Sequence, residues 1–82
     1  MNTNIIRAIS SETRIRMLAE VGKGEICACK LPVLAKKTQP ATSQHLKILK
    51  EAGLVRSRRD GAKILYSVTE KGKRVLRDIK GW

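Results

Sequence analysis

Residues 32–68 read PVLAKKTQPATSQHLKILKEAGLVRSRRDGAKILYSV, and the period of the apolar positions changes partway through. From Thr38 to Ala52 the spacing is helical: Thr42, Leu46 and Leu49 recur at three and four residues. Thr38 suits the N-cap, Pro40 the first turn and Gly53 the position just past the end. After Gly53 the runs Leu54–Arg59 and Ala62–Val68 are strand-like. Asp60-Gly61 between them is a strong hairpin signal.

Working outward, Pro32 suits the first turn of a helix running to about Lys37. Glu25–Leu31 reads as a short extended stretch, since Pro32 disfavours a helical Leu31. Upstream, Ile5, Ile6 and Ile9 mark a short helix over 4–9. Ser10 and Ser11 can cap a second, with Ile15, Leu18 and Ala19 on one face and an end at Gly22 or Gly24. Downstream, Thr69 can cap a last helix through Val75, Leu76 and Ile79. The order is helix, helix, short strand, helix, helix, hairpin, helix. A tight helix pair followed by a twisted hairpin is the winged helix-turn-helix arrangement, mainly α with a β-hairpin wing. One such domain is expected over 1–82, with helices at about 32–37 and 40–52 and a wing at about 54–68.

Eighty-two residues leave room for one small domain. The formal net charge of +11 points to a polyanion. It is uneven: residues 1–29 carry four Lys and Arg against three acids, and residues 30–82 carry fourteen against four. One Tyr, one Trp and no Phe argue against a surface that stacks single-stranded bases. A hydrophobic share of 41% is too high for a disordered basic tail. No apolar run is long enough to span a membrane, and the first ten residues do not form a secretory signal. Two cysteines without an export signal then suggest a reducing cytoplasm rather than a disulfide scaffold. No Gly-rich phosphate loop, paired carboxylates or nucleophile–base pair suggests an enzyme.

At about 100° per residue, the helix at 40–52 gathers Thr42, Leu46 and Leu49 on one side, flanked by Ala52 and His45. Ser43, Gln44, Lys47, Lys50 and Glu51 lie opposite. Ser and Gln bond base edges or phosphates, and Lys neutralises phosphate or donates to guanine. Gln39 stands at the helix start, where a groove would be met first. Arg56, Arg58, Arg59 and Lys63 cluster on the hairpin, as suits a wing against a duplex backbone or minor groove. A solvated polar face and an edge strand charged against aggregation are the plainer readings. Two consecutive basic elements favour DNA, with Gln39, Ser43, Gln44, Lys47, Arg58, Arg59 and Lys63 as candidate contacts. His45, beside the buried arc, reads as a packed or hydrogen-bonded structural residue.

The stretches SETRIRML (11–18), EICACKL (25–31), QPATSQHLKILKEAGLV (39–55) and the wing from Arg58-Arg59-Asp60-Gly61 to Tyr66-Ser67 resemble the arsenic-repressor (ArsR/SmtB) family of transcriptional regulators. The resemblance implies a homodimer on a two-fold operator in double-stranded DNA, usually repressing until an effector lowers affinity. It also implies DNA contacts at Gln39, Ser43 and Gln44. The family's usual dimer interface uses the first and last helices, where Ile5, Ile6, Leu76, Ile79 and Trp82 could supply an apolar seam.

Cys27-Ala28-Cys29 resembles the thiol motif of the family's soft-metal sensors. In an extended segment, side chains two apart point the same way, so both sulfurs could reach one soft metal or metalloid ion. The plainer reading is two small buried residues on a strand. Departures from the family are several. A third cysteine three residues after Cys29 is replaced by Pro32, residues 1–26 hold no cysteine, and no histidine accompanies Asp78. Two thiolates do not complete a metal site, so a second subunit or exogenous ligands such as glutathione or water would have to contribute. A redox response of the two thiols is equally open. The nearly neutral first 29 residues place this sensor outside the cationic surface. A winged-helix RNA- or protein-binding module with structural cysteines, and a soft-metal buffer, are the rival readings.

Overall fold

A computed structural model describes residues 3–80. Helix α1 spans Thr3–Ile9 and α2 Glu12–Gly22; strand β1 is Ile26–Cys27, and after a 3-10 turn at Ala28–Lys30, α3 runs Leu31–Ala35. Helix α4 covers Gln39–Glu51, strands β2 and β3 Val55–Asp60 and Lys63–Val68, and α5 Glu70–Lys80. The winged helix-turn-helix order anticipated from the sequence is present. Trp82, offered as part of an apolar seam, lies outside the described residues.

The caps follow from side-chain chemistry. Ser11 accepts the Arg14 N–H at the start of α2, and Thr38 accepts the Ala41 N–H at the start of α4. A cap of this type contributes about 1 kcal/mol. At the end of α4, Gly53 takes φ +77°, its N–H bonds Lys50 O at 2.9 Å, and Leu54 N–H bonds Leu49 O at 3.1 Å. That paired closure turns the chain out of the helix and into β2.

The core holds Met17, Leu18 and Val21 from α2, Leu31 and Ala35 from α3, Leu46 and Leu49 from α4, and Leu54 and Val55 at the start of the hairpin. The buried stripe of α2 therefore centres on Leu18, with Met17 and Val21, while Ile15 and Ala19 are half-buried at its margin. The arc drawn on α4 is the observed one: Thr42, Leu46, Leu49 and Ala52 are buried, and Ser43, Gln44, Lys47, Lys50 and Glu51 are exposed. Thr42 satisfies its buried hydroxyl by donating to Thr38 O at 2.8 Å.

The strands form an antiparallel sheet in the order β1-β3-β2. Asp60 belongs to the ladder opposite Lys63, so the loop is Gly61-Ala62 rather than Asp60-Gly61. Gly61 has φ +62°, and Ala62 has no positive φ. Positive φ at only the first loop residue marks a type II′ turn, for which Gly-X and not Asp-Gly is the matching pair.

Two expectations around Pro32 fail. Leu31 is helical, at φ −68° and ψ −36°, and opens α3. Only Ile26 and Cys27 are extended, because only they find partners, Tyr66 and Leu65 of β3. Helix α3 also stops at Ala35, short of Lys37, with Lys36 left-handed at φ +55° to make the turn towards α4.

Candidate nucleic-acid interface and cysteine cleft

Gln39 is the first residue of α4, and Gln39, Ser43, Gln44 and Lys47 are all exposed along it. At the capped start of α4 the Ala41 N–H is taken by Thr38 and Pro40 has no N–H, so the exposed Gln39 side chain is what this end of the helix offers a ligand. Near the other end, Lys50 donates to Ser57 Oγ of β2 at 2.8 Å, which ties the helix to the base of the wing.

The wing's cations are not one cluster. The pleat sets Arg56 and Arg58 on the face opposite Ser57 and Arg59. Arg58 is engaged by Glu25: its Nε and Nη2 donate to the two carboxylate oxygens, both at 2.8 Å. The Arg58 guanidinium holds the Glu25 carboxyl below its ordinary pKa, and the carboxylate raises that of Arg58 in turn. Both groups are well exposed, so the pair aligns more than it stabilises. Arg59 and Lys63 are exposed and form no ion pair among the described residues.

Glu25 is a site residue that sequence reading missed. It lies 33 positions from Arg58, and only the pairing of Cys27 with Leu65, itself opposite Arg58, brings them together. Arg14 was missed too. It donates to Ala8 O at 3.1 Å and Arg7 O at 2.9 Å, closing the end of α1. Its third contact, 3.0 Å, is to His45 Nδ1 on α4. Partial burial, then the nearby Arg14 and Lys37 charges, lower the His45 pKa. The imidazole is therefore neutral, with Nδ1 accepting from Arg14, and His45 stands as a structural, hydrogen-bonded residue.

Cys27 and Cys29 do not share a strand. Cys27 ends β1 and is buried, while Cys29 sits exposed in the 3-10 turn. Their sulfurs nonetheless meet and are joined as a disulfide, with Cα atoms 5.2 Å apart. The bond spans two residues and cross-links no separate elements, so it is not a scaffold. Cys27 Sγ also accepts the Cys29 N–H at 3.2 Å. No group of three His, Cys, Asp or Glu side chains able to hold a metal occurs among the described residues.

The pair does not lie outside the cationic surface. It lines a cleft of about 220 Å³ shared with Gln39, Ser43 and Leu46 of α4 and with Lys63 and Ile64 of the wing. Pairing of β1 with β3 carries the cysteines to the wing, and the α3–α4 turn brings the start of α4 across from them. Charge counted along the chain could not show this, because the nearly neutral segment folds between two basic ones.

Among the described residues no helix is long and apolar enough to cross a membrane. The sequence profile of the bacterial regulatory protein arsR family matches residues 11–57. An uncharacterized HTH-type transcriptional regulator of Methanocaldococcus jannaschii is 36% identical over 75 residues, covering 89% of this chain and 84% of that protein. The HTH-type transcriptional repressor SmtB of Mycobacterium tuberculosis is 35% identical over 66 residues, 80% of this chain. The chain spans only about half that repressor's length (49%). Among solved structures, the homodimeric winged helix-turn-helix DNA-binding domain of a possible ArsR-family transcriptional regulator from Mycobacterium bovis superposes with a TM-score of 0.87. It covers 95% of this chain and 73% of that one at 23% identity, a likeness of fold. With the profile running from the Ser11 cap through α4 into the first wing strand, the chain belongs to the arsR family of DNA-binding transcriptional regulators.

Proposed function

We propose that the chain is a homodimeric repressor of transcription that reads a two-fold operator and leaves it when an effector reaches Cys27 and Cys29. The observation that carries the DNA reading is the pairing of an exposed polar arc on α4 with exposed Arg59 and Lys63 on the adjoining wing, which form no ion pair among the described residues. Gln39, Ser43 and Gln44 would address base edges and phosphates, and Lys47, Arg59 and Lys63 the backbone. Arg58 contributes through its hold on Glu25 and then as a flanking charge. The named function of the mycobacterial repressor supports the sign of regulation. Half-buried Val75, Leu76 and Ile79 on α5, with exposed Ile6 on α1, support pairing of two copies through those helices.

For the effector, the two sulfurs supply a soft donor pair suited to a soft metal or metalloid ion. They fit such an ion only in part. The disulfide must first be reduced, and the remaining ligands must come from a partner subunit, glutathione or water.

Anisotropy titrations of a duplex carrying the inverted repeat upstream of the chain's own coding region test this reading, against a scrambled duplex and a structured RNA at matched salt. A repressor of this kind prefers the repeat by at least about a thousandfold. Lys47→Ala is expected to weaken all duplexes alike and lower the salt slope by about one. Gln39→Ala is expected to cost about 1–3 kcal/mol on the repeat and to relax its specificity. Equal binding to repeat and scramble, or preference for RNA, would make the fold a general nucleic-acid module. Sedimentation of the same samples decides the dimer.

A further inference from the structure

We propose that Cys29 is a covalent modification site for a small anionic thiol, held as a mixed disulfide in the cleft between the cysteine turn, α4 and the wing. The adduct and a DNA duplex would then exclude one another. The competition with DNA rests on the operator-binding reading above; the modification itself does not.

The two sulfurs are chemically unequal. Cys29 is exposed and open to an incoming thiolate, whereas Cys27 is 9% exposed and packed at the sheet. The Cys29 N–H directed at Cys27 Sγ at 3.2 Å stabilises negative charge there, so Cys27 is the better leaving sulfur. The step balances without an outside oxidant. The thiolate attacks Cys29 Sγ, a new S–S bond forms to Cys29, and the Cys27–Cys29 bond breaks. Cys27 leaves with the electron pair as thiolate and takes a proton from solvent when it is neutralised. The incoming thiol is oxidised to the disulfide level, and Cys27 is reduced.

The cleft fixes what suits Cys29. At about 220 Å³ it falls below the roughly 300–1,000 Å³ of sites that enclose drug-sized ligands, so a small molecule held by one covalent bond fits it better than a cofactor. Lys63 supplies positive charge on the far wall, Gln39 and Ser43 supply hydrogen-bonding groups, and Pro32, Leu46 and Ile64 supply an apolar floor. A carboxylate-bearing thiol meets all three. The same Gln39, Ser43 and Lys63 are the proposed duplex contacts, so an adduct standing among them acts by occupancy rather than at a distance.

The test offers glutathione to the full chain in its Cys27–Cys29 disulfide form. It offers glutathione disulfide as the anionic probe and cystamine as the cationic one to the Cys27→Ser and Cys29→Ser variants. Intact mass and duplex anisotropy are the readouts. Cys27→Ser should gain one glutathione, and Cys29→Ser should react at least about tenfold more slowly. Lys63→Gln in the Cys27→Ser background should slow glutathione attachment and leave cystamine attachment as fast or faster. The glutathione adduct should bind duplex at least about tenfold more weakly than the same protein after dithiothreitol. Peptide mapping of the reduced wild type after a short glutathione disulfide pulse gives the site without a substitution. Equal modification of both cysteines, indifference to probe charge, or full duplex affinity of the adduct would overturn the proposal. If the unmodified protein binds no duplex, the operator reading fails, while mass and mapping still decide the site.

Discussion

Gly72 occupies a place where a side chain has no room. A methyl group there would collide with the carbonyl oxygen of Leu54 and with Val68, although the position is helical and alanine is the better helix former. Gly72→Ala is therefore expected to destabilise by about 1–3 kcal/mol, read as a lower Tm, where propensity alone predicts a gain of about 1 kcal/mol. The sequence shows Thr69 as the cap of α5, and Thr69 Oγ1 does accept the Gly72 N–H at 3.0 Å. The need for glycine three residues later is not legible there, because the obstructing carbonyl lies 18 positions upstream. His45 differs: its place beside the buried arc of α4 follows from counting angles, and only its partner Arg14 requires the fold. Because the folded state lowers its pKa, the stability held through neutral His45 is fully present above its ordinary value near 6.5 and is lost as pH falls through the folded value. Thermal unfolding followed from pH 7.5 downward should show that decline, and His45→Gln should flatten it. An unchanged slope in the variant would remove His45 as its source.

At the scale of elements, α4 and the hairpin are almost fully written in local residues. Thr38, Pro40, Gly53 and the spacing of Thr42, Leu46 and Leu49 each act within one turn of themselves. The loop shift to Gly61-Ala62 is a one-residue error of the same local kind, settled by where the ladder closes. The cysteine segment is the contrary case. Its strand exists only as far as β3 supplies partners, so two residues pair and the next three wind into a turn, whatever Pro32 prefers. The wing's charge is likewise a matter between elements, since Glu25 withdraws Arg58 from the free cations. Glu25→Gln is expected to release it, raising affinity for scrambled duplex and steepening the salt slope by up to about one. An unaltered slope would mean that Arg58 faces away from DNA in either state. The pair's own contribution is present above the ordinary Glu value of 4.5 and falls away as pH drops through the lowered folded value.

For the whole molecule, a net charge of +11 is legible at once and says little by itself. Folding gives it shape within a body of 36 × 23 × 20 Å, with α4 and the wing as neighbouring basic elements and the cysteine turn lodged between them. The α4 end, the start of the hairpin and the start of α5 also converge on one small knot. Thr69 Oγ1 donates to Gly53 O at 2.6 Å, and Thr69 N–H donates to Leu54 O at 3.1 Å, just above the buried Gly72. Helix α4 and the wing are thus tied to the start of α5 through Thr69. In native-state hydrogen exchange, the amide protons of Leu54 and Thr69 are expected to be better protected than those of the cysteine turn. The cysteine end is held by a two-residue strand and the exposed Glu25–Arg58 pair, and its turn faces solvent. Local opening is therefore expected first on the cysteine wall of the cleft, with α4 and the wing holding their form.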